Sequence, residues 1–210
     1  MIKCSVHSDV TDMHGKRVLV FLRPQHPRID YLVHAWQDLE ISSGATAYFY
    51  FDDAVSARLL TQGKRGDNPT CSAEQAIQPG QLFLAQRPDG LSPTLNPAPT
   101  GMAIERLTPQ QAGIYNQTYP YTSIDCIWCV SGSPVVTMPY LDWGMTCTFE
   151  YVPVFYFMVA SPLISGENFN VQAFTDMTPY PVSPSISTLD VEITRDKGRW
   201  MFNFITDADD

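Results

Sequence analysis

The sequence predicts an all-β protein: a single-domain antiparallel β-sandwich with long loops and at most two short helices. Three observations carry that expectation. Runs of five to nine apolar, β-branched and aromatic residues recur from Arg17 to Ile205, each closed by Gly, Pro, Asn, Asp or Ser. Hydrophobic residues make up 44% of the 210, aromatics 12% and charged residues only 17%, so a sizeable core can be buried and a disordered chain is excluded. The 17 prolines exceed the average share of about 5% and punctuate the strand-type runs.

Taken in order, the first strand is expected at Arg17–Arg23, an apolar run with charged ends. Ile29, Leu32, Val33, Trp36 and Leu39 recur at helix spacing behind a capping Asp30, which predicts two or three helical turns; the alternative is a loop followed by a strand. Thr46–Phe51 and Gln81–Gln86 are β-prone runs. Between them, residues 63–79 form a polar loop. Residues 87–101 form a second, proline-rich loop, which is no central strand because proline cannot donate to a ladder. Thr108–Gly113 predicts a short second helix, with Thr as N-cap, Pro at the first helical position and Gly at the end. Strands follow at Thr122–Val130, Met145–Tyr151, Val154–Ala160, Asn168–Phe174, Leu189–Thr194 and Arg199–Ile205. The last two read as a hairpin: Leu189–Thr194 alternates apolar with polar, and Gly198 can take the positive φ of a short loop. Residues 206–210 are an acidic tail, and the whole of 1–210 reads as one domain without repeats.

Charge narrows the function classes. With 13 Lys and Arg against 22 Asp and Glu, the net charge is -9. Phosphate contacts need clustered basic residues, so no nucleic-acid partner is expected, nor a basic membrane-surface helix. The opening MIKCSVHSDV lacks the apolar run of a secretory signal, and the longest apolar stretch, 152–160, is interrupted by Pro153 and too short to span a bilayer. The expectation is a soluble chain with no transmembrane segment, cytoplasmic or released without a classical signal peptide.

The motifs are sparse. Five cysteines, an odd and low count, imply no disulfide framework. Cys126-Ile-Trp-Cys129 lies in a β-prone stretch, where residues three apart point to opposite faces, so the two thiols are expected to be unbonded. Ser131-Gly132-Ser133-Pro134 lacks the second glycine of a nucleophile elbow and reads as a turn. Asn116-Gln-Thr118 matches a glycosylation acceptor but, with no secretory signal, reads as a polar turn. Arg65-Gly-Asp67 is a short loop tripeptide of the kind that arises by chance. The acidic pairs Asp52-Asp53 and Asp209-Asp210 do not make an acid/base dyad. No motif calls for a cofactor. A metal or catalytic reading would rest on His7 and His14, with Asp9 and Asp12 between them, or on Cys126 and Cys129, with Cys147 as the nearby third thiol.

Aromatic residues are the surplus. Tyr115, Tyr119, Tyr121, Tyr140, Trp143 and Tyr151 crowd the central third, and Pro139-Tyr-Leu-Asp-Trp-Gly144 is a turn carrying two large rings. Rings in loops bind sugars, organic cations or partner surfaces, so Tyr140 and Trp143 are the candidate ligand-binding residues. The competing expectation is that they cover the open ends of a sandwich.

The order of segments resembles the RhiA-like family, named after a quorum-regulated, rhizosphere-expressed bacterial protein. The likeness is carried by Leu19–Gln25, Leu32-Val-His-Ala-Trp36, the Gly44 turn and aromatic strand to Phe51, Pro79–Ala85, Ser131–Pro134, Phe149–Val159 with Pro153-Val-Phe-Tyr156, and the closing hairpin with Trp200. The resemblance implies a small, β-rich microbial protein. It carries no catalytic motif and assigns no residue a role.

The resulting expectation is a non-enzymatic β-sandwich that binds a small molecule, a glycan or a protein surface. A membrane- or cell-surface-directed effector, with Tyr140 and Trp143 at a lipid interface, is the first alternative. An enzyme or metal protein is the second.

Overall fold

The computed structural model of the chain describes residues 1–61, 69–88, 92–119, 121–160, 169 and 176–207, and the statements below concern these. The first ten strands are β1 (Ile2–Ser8), β2 (Arg17–Pro24), β3 (Leu32–Val33), β4 (Gln37–Glu40), β5 (Ala45–Phe51), β6 (Val55–Thr61), β7 (Thr70–Cys71), β8 (Gln75–Ala76), β9 (Leu82–Gln86) and β10 (Thr94–Pro97). After helix α1 (Thr100–Arg106) come β11 (Ala112–Asn116), β12 (Ile124–Val130), β13 (Ser133–Leu141), β14 (Thr146–Phe149), β15 (Tyr151–Ala160), β16 (Thr178–Pro181), β17 (Thr188–Asp196) and β18 (Arg199–Thr206). The protein is all-β, as its alternating patterns require, with one α-helix and one three-residue 3-10 turn at Thr11–Met13 among the described residues.

Its contacts gather into two compact units. One comprises Met1–Arg23, Val33–Asp53 and Val152–Asp210; the other comprises Pro24–Leu32 and Ala54–Tyr151. The first unit holds two four-stranded sheets, ordered β18-β17-β1-β5 and β16-β15-β2-β4. Their inner faces meet in a ring cluster. Phe155 of β15 touches Phe51 and Phe49 of β5 at 5.1 and 5.8 Å, Phe157 meets Phe202 and Phe204 of β18 at 5.5 Å, and Trp36 stacks on Phe155 at 5.6 Å. The second unit pairs β10-β9-β11-β14 with a sheet whose central run is β13-β12-β6. Trp128 of β12 stacks on Phe149 of β14 at 5.0 Å, joining the two sheets through fully buried rings. Most neighbouring strands are antiparallel; β1 with β17 and β9 with β11 are parallel.

Two helix expectations are overturned. Residues 29–39 form no helix: Leu32–Val33 is β3, and Gln37–Glu40 is β4, paired with β2 from Arg17↔Glu40 to Val20↔Gln37. An isolated two-turn helix is marginal in water, whereas pairing with β2 satisfies the backbone groups of 37–40 on one side, and Arg17 ion-pairs with Asp38 across the pair. Thr108–Gly113 is a turn, not a helix. Gly113 lies inside β11, where a Cβ would meet Leu107 Cδ2 at 2.6 Å, so glycine serves close packing there rather than a cap. The α-helix starts instead within the proline-rich loop, at Thr100 behind Pro99. That loop also carries β10, an edge strand, which is where proline is tolerated.

The opening residues, where no strand is expected before Arg17, form a central strand. Ile2, Cys4, Val6 and Ser8 of β1 are buried between β17 and β5, while Lys3, Ser5 and His7 face out. The closing hairpin forms as expected, tightened to a two-residue loop in which Lys197 and Gly198 take φ of 47° and 85°. Ser131-Gly132 makes the same kind of turn between β12 and β13. The expected strand at Asn168–Phe174 lies outside the described residues except for Phe169, which bridges Val33. Arg65-Gly-Asp67 and most of the acidic tail also lie outside them.

Candidate binding site

The second unit gathers three rings of the aromatic surplus, Tyr119, Tyr121 and Trp143, at one place. Asn116, the last residue of β11, organises it. Its amide nitrogen donates to the carbonyls of Thr122 and Leu141, both at 2.8 Å, and its oxygen accepts from the Thr118 backbone N–H at 2.9 Å and hydroxyl at 2.8 Å. Its own main chain accepts from Gly144 and donates to the Met145 carbonyl. One fully buried side chain with all its hydrogen-bonding capacity met thus ties two loops together: the loop of Tyr119 and Tyr121, and the loop of Trp143. The polar turn predicted at Asn116–Thr118 is this bracket.

The rings these loops carry are not core. Tyr119 is 71% exposed, Tyr121 69% and Trp143 50%. They touch one another edge to face, Tyr119 to Tyr121 at 5.8 Å and Tyr121 to Trp143 at 4.6 Å, forming a ledge. Tyr140 sits apart from it. The β12–β13 register shifts between Ile124 and Cys126, and the bulge turns Tyr140 into the left-handed region at φ 58° with its ring 71% exposed. A non-glycine residue there is strained, and the buried carboxylate of Asp125 holds it by accepting the Tyr140 N–H at 3.0 Å.

Tyr140 lines a cleft of about 580 Å³, a size that suits a small organic ligand. It is lined by His26, Arg28, Asp30 and Tyr31, and by residues between Met138 and Glu150 that include Asp142, Met145 and Cys147. Arg28 is held bidentately by Asp30 at 3.1 and 3.0 Å and lies 5.8 Å from the Tyr31 ring centre. Asp142 accepts from Ser123. Burial, aided by the neighbouring Cys147, pushes the Tyr31 phenol up, so it stays a neutral donor. A smaller cleft of about 280 Å³ shares Glu150 and is walled mainly by apolar groups such as Val55, Pro79 and Phe149.

The sequence candidates separate. Tyr140 belongs to the cleft and Trp143 to the ledge, on the same hairpin end. His7 lies on β1 against Thr46 and Asp9, His14 follows the 3-10 turn, and no group of three or more His, Cys, Asp or Glu among the described residues is placed to hold a metal. Cys126 and Cys129 are both free, and they face different neighbours. Cys126 meets Cys147, whose hydrogen bond, with burial, pushes its thiol well up; burial beside Glu74 pushes Cys129 to about 11. Such thiols are protonated at neutral pH and poor nucleophiles or ligands. Sequence reasoning missed the wall from His26 to Tyr31 and the role of Glu150. It also missed Tyr48 and Tyr50, half-exposed on β5 of the other unit, where Lys3 lies over the Tyr48 ring at 5.1 Å.

The chain matches no protein-family model, no curated protein and no solved structure. No helix among the described residues is long and apolar enough to cross a membrane.

Proposed function

We propose that the protein is a non-catalytic binding protein whose recognition surface is the end of the second unit formed by the Tyr119–Tyr121–Trp143 ledge and the Tyr140 cleft. The single observation that carries this is the buried Asn116 bracket, which holds large exposed rings in place without burying them. Ordered rings left at the surface bind at little entropic cost, which is why such residues dominate interfaces. Strain at Tyr140 belongs to the same picture, because strained residues persist where the surrounding structure fixes them for use. The RhiA-like resemblance remains part of this proposal as kinship only, since it transfers no residue role.

A test is a binding panel on the parent and on Trp143→Ala, using soluble oligosaccharides, small organic cations and phosphatidylcholine vesicles as probes, with a melting curve beside it. The expected result is a probe whose affinity falls about thirtyfold in Trp143→Ala while the melting point holds, from the roughly 2 kcal/mol typical of a hot spot. If the panel gives a ligand that neither Trp143→Ala nor Tyr140→Gly affects, the surface is elsewhere. The exposed Tyr, Trp and Met145 side chains favour a lipid interface as the second reading, and vesicle binding lost in Trp143→Ala would select it.

A further inference from the structure

Resting on that reading, we propose that the Tyr140 cleft takes a small organic cation, an ammonium group on a hydrocarbon body. The cleft wall bears three carboxylates, Asp30, Asp142 and Glu150, against a single guanidinium, Arg28. That guanidinium is already neutralised by its bidentate bond to Asp30. Asp142 is engaged by the Ser123 hydroxyl. Glu150 differs from both. It is half-buried, its main-chain carbonyl accepts from Gln25 N–H at 2.6 Å, and its carboxylate has no partner among the described residues. A carboxylate without a counter-ion beside a cleft attracts a cation.

The rest of the wall suits the body of such a ligand. Tyr140 lines the cleft and is 71% exposed, and aromatic rings attract ammonium groups. Met138, Leu141 and Met145 supply apolar surface for carbons attached to the nitrogen. The chain's net charge of -9 raises the local concentration of cations. A neutral sugar would find the tyrosine and the hydrogen-bonding groups, but would leave the Glu150 charge uncompensated. The charge, more than the ring, therefore sets the ligand class.

The test titrates choline and 1,4-diaminobutane into the purified full chain by calorimetry, beside 3,3-dimethylbutanol, which has the shape of choline without its charge. Saturable binding of at least one cation is expected, with the uncharged analogue about tenfold weaker or worse. Glu150→Gln, which keeps shape and removes charge, should weaken the cation about tenfold. Tyr140→Gly, which removes the ring at a backbone position that suits glycine, should do likewise, with melting points near the parent's. The inference is overturned when neither cation saturates, when the uncharged analogue binds as well, or when Glu150→Gln changes nothing. Binding to phosphatidylcholine vesicles with neither free cation bound overturns it in favour of a headgroup at a surface. An oligosaccharide ligand lost in Trp143→Ala, with no cation bound, sinks the inference but leaves the binding-protein reading standing. Cation binding untouched by Trp143→Ala but lost in Glu150→Gln confines the site to the cleft and supports the inference.

Discussion

At the residue scale, Asn116 illustrates how one buried amide shapes a surface. Replacing it with alanine takes the side-chain donor from the Leu141 carbonyl and the acceptor from the Thr118 N–H, and leaves the Thr122 carbonyl with the Thr118 hydroxyl. Each buried group left unsatisfied costs about 1–3 kcal/mol, so Asn116→Ala should lose at least about 2 kcal/mol in a urea melt. A loss below about 0.5 kcal/mol, the scale of an ordinary surface substitution, would show that the bracket does not hold the loops. The thiols give a second residue-scale expectation. Cys71 is exposed, while burial pushes the Cys4 and Cys129 thiols to about 12 and about 11 and helps raise Cys126. A disulfide reagent should therefore modify one thiol quickly in the native protein and all five in denaturant, and Cys71→Ser should remove the fast phase. Two or more fast thiols would contradict the burial of the rest. The sequence showed Asn116, Tyr140 and Trp143 as polar turn and loop rings. It could not show that the amide reaches Leu141, 25 residues away, because hydrogen bonds at that separation exist only once both strands are placed.

At the scale of elements, β15 and the 142–145 loop present aromatic residues to opposite fates. Phe155 of β15 is fully buried and touches Trp36, Phe49, Phe51 and Phe157, so Phe155→Ala should cost roughly 3–5 kcal/mol. Trp143→Ala removes a half-exposed ring and should cost roughly 1 kcal/mol, the scale of a single aromatic pair. Chemical denaturation of the two variants side by side measures the contrast, and equal losses would make Trp143 a core residue. Strands were legible wherever alternation ran for five residues or more, as in Leu189–Thr194. The 29–39 segment shows helical spacing without a helix: Val33 packs with Leu19 and Phe21, Trp36 with Phe49, Phe51 and Phe155, and Leu39 is buried on β4. Period alone cannot tell these apart in a short window.

At the scale of the molecule, the first unit is closed by its most distant segments. β1 lies between β5 and β17, and Ser5 bonds Asp190 across 185 residues of sequence. Deleting residues 1–8 removes a central strand and exposes two ladders, so the truncated chain should lose its cooperative melting transition. A retained sharp transition would mean that β1 is dispensable. Near the same sheet, Asp12 bonds Lys16 and Arg195, both of which lie over the Trp200 ring. Lys16, by hydrogen bond and charge, and then Arg195, hold the Asp12 carboxyl below the ordinary carboxylate range. A depressed folded-state pKa contributes stability above the unfolded value, and that contribution is lost as pH falls through the folded one. The parent should therefore melt above Asp12→Asn at neutral pH, with the gap closing as pH falls below the ordinary carboxylate range and narrowing in high salt. A gap independent of pH would assign the clamp to the stacked cations rather than to the charge.

The sequence by itself determined that this protein is all-β, that its last strands form a hairpin with a short loop at Gly198, and that aromatic residues crowd its central third. Those properties follow from period-two alternation and turn residues, which act over a few neighbours. Only the tertiary structure decided that the opening residues are a central strand, that Asn116 fixes the rings of two loops, and that Glu150 shares a cleft wall with Tyr140. Burial, hydrogen-bond satisfaction and the local field at a carboxylate are sums over groups far apart in the chain, and they have no value until the sheets are assembled.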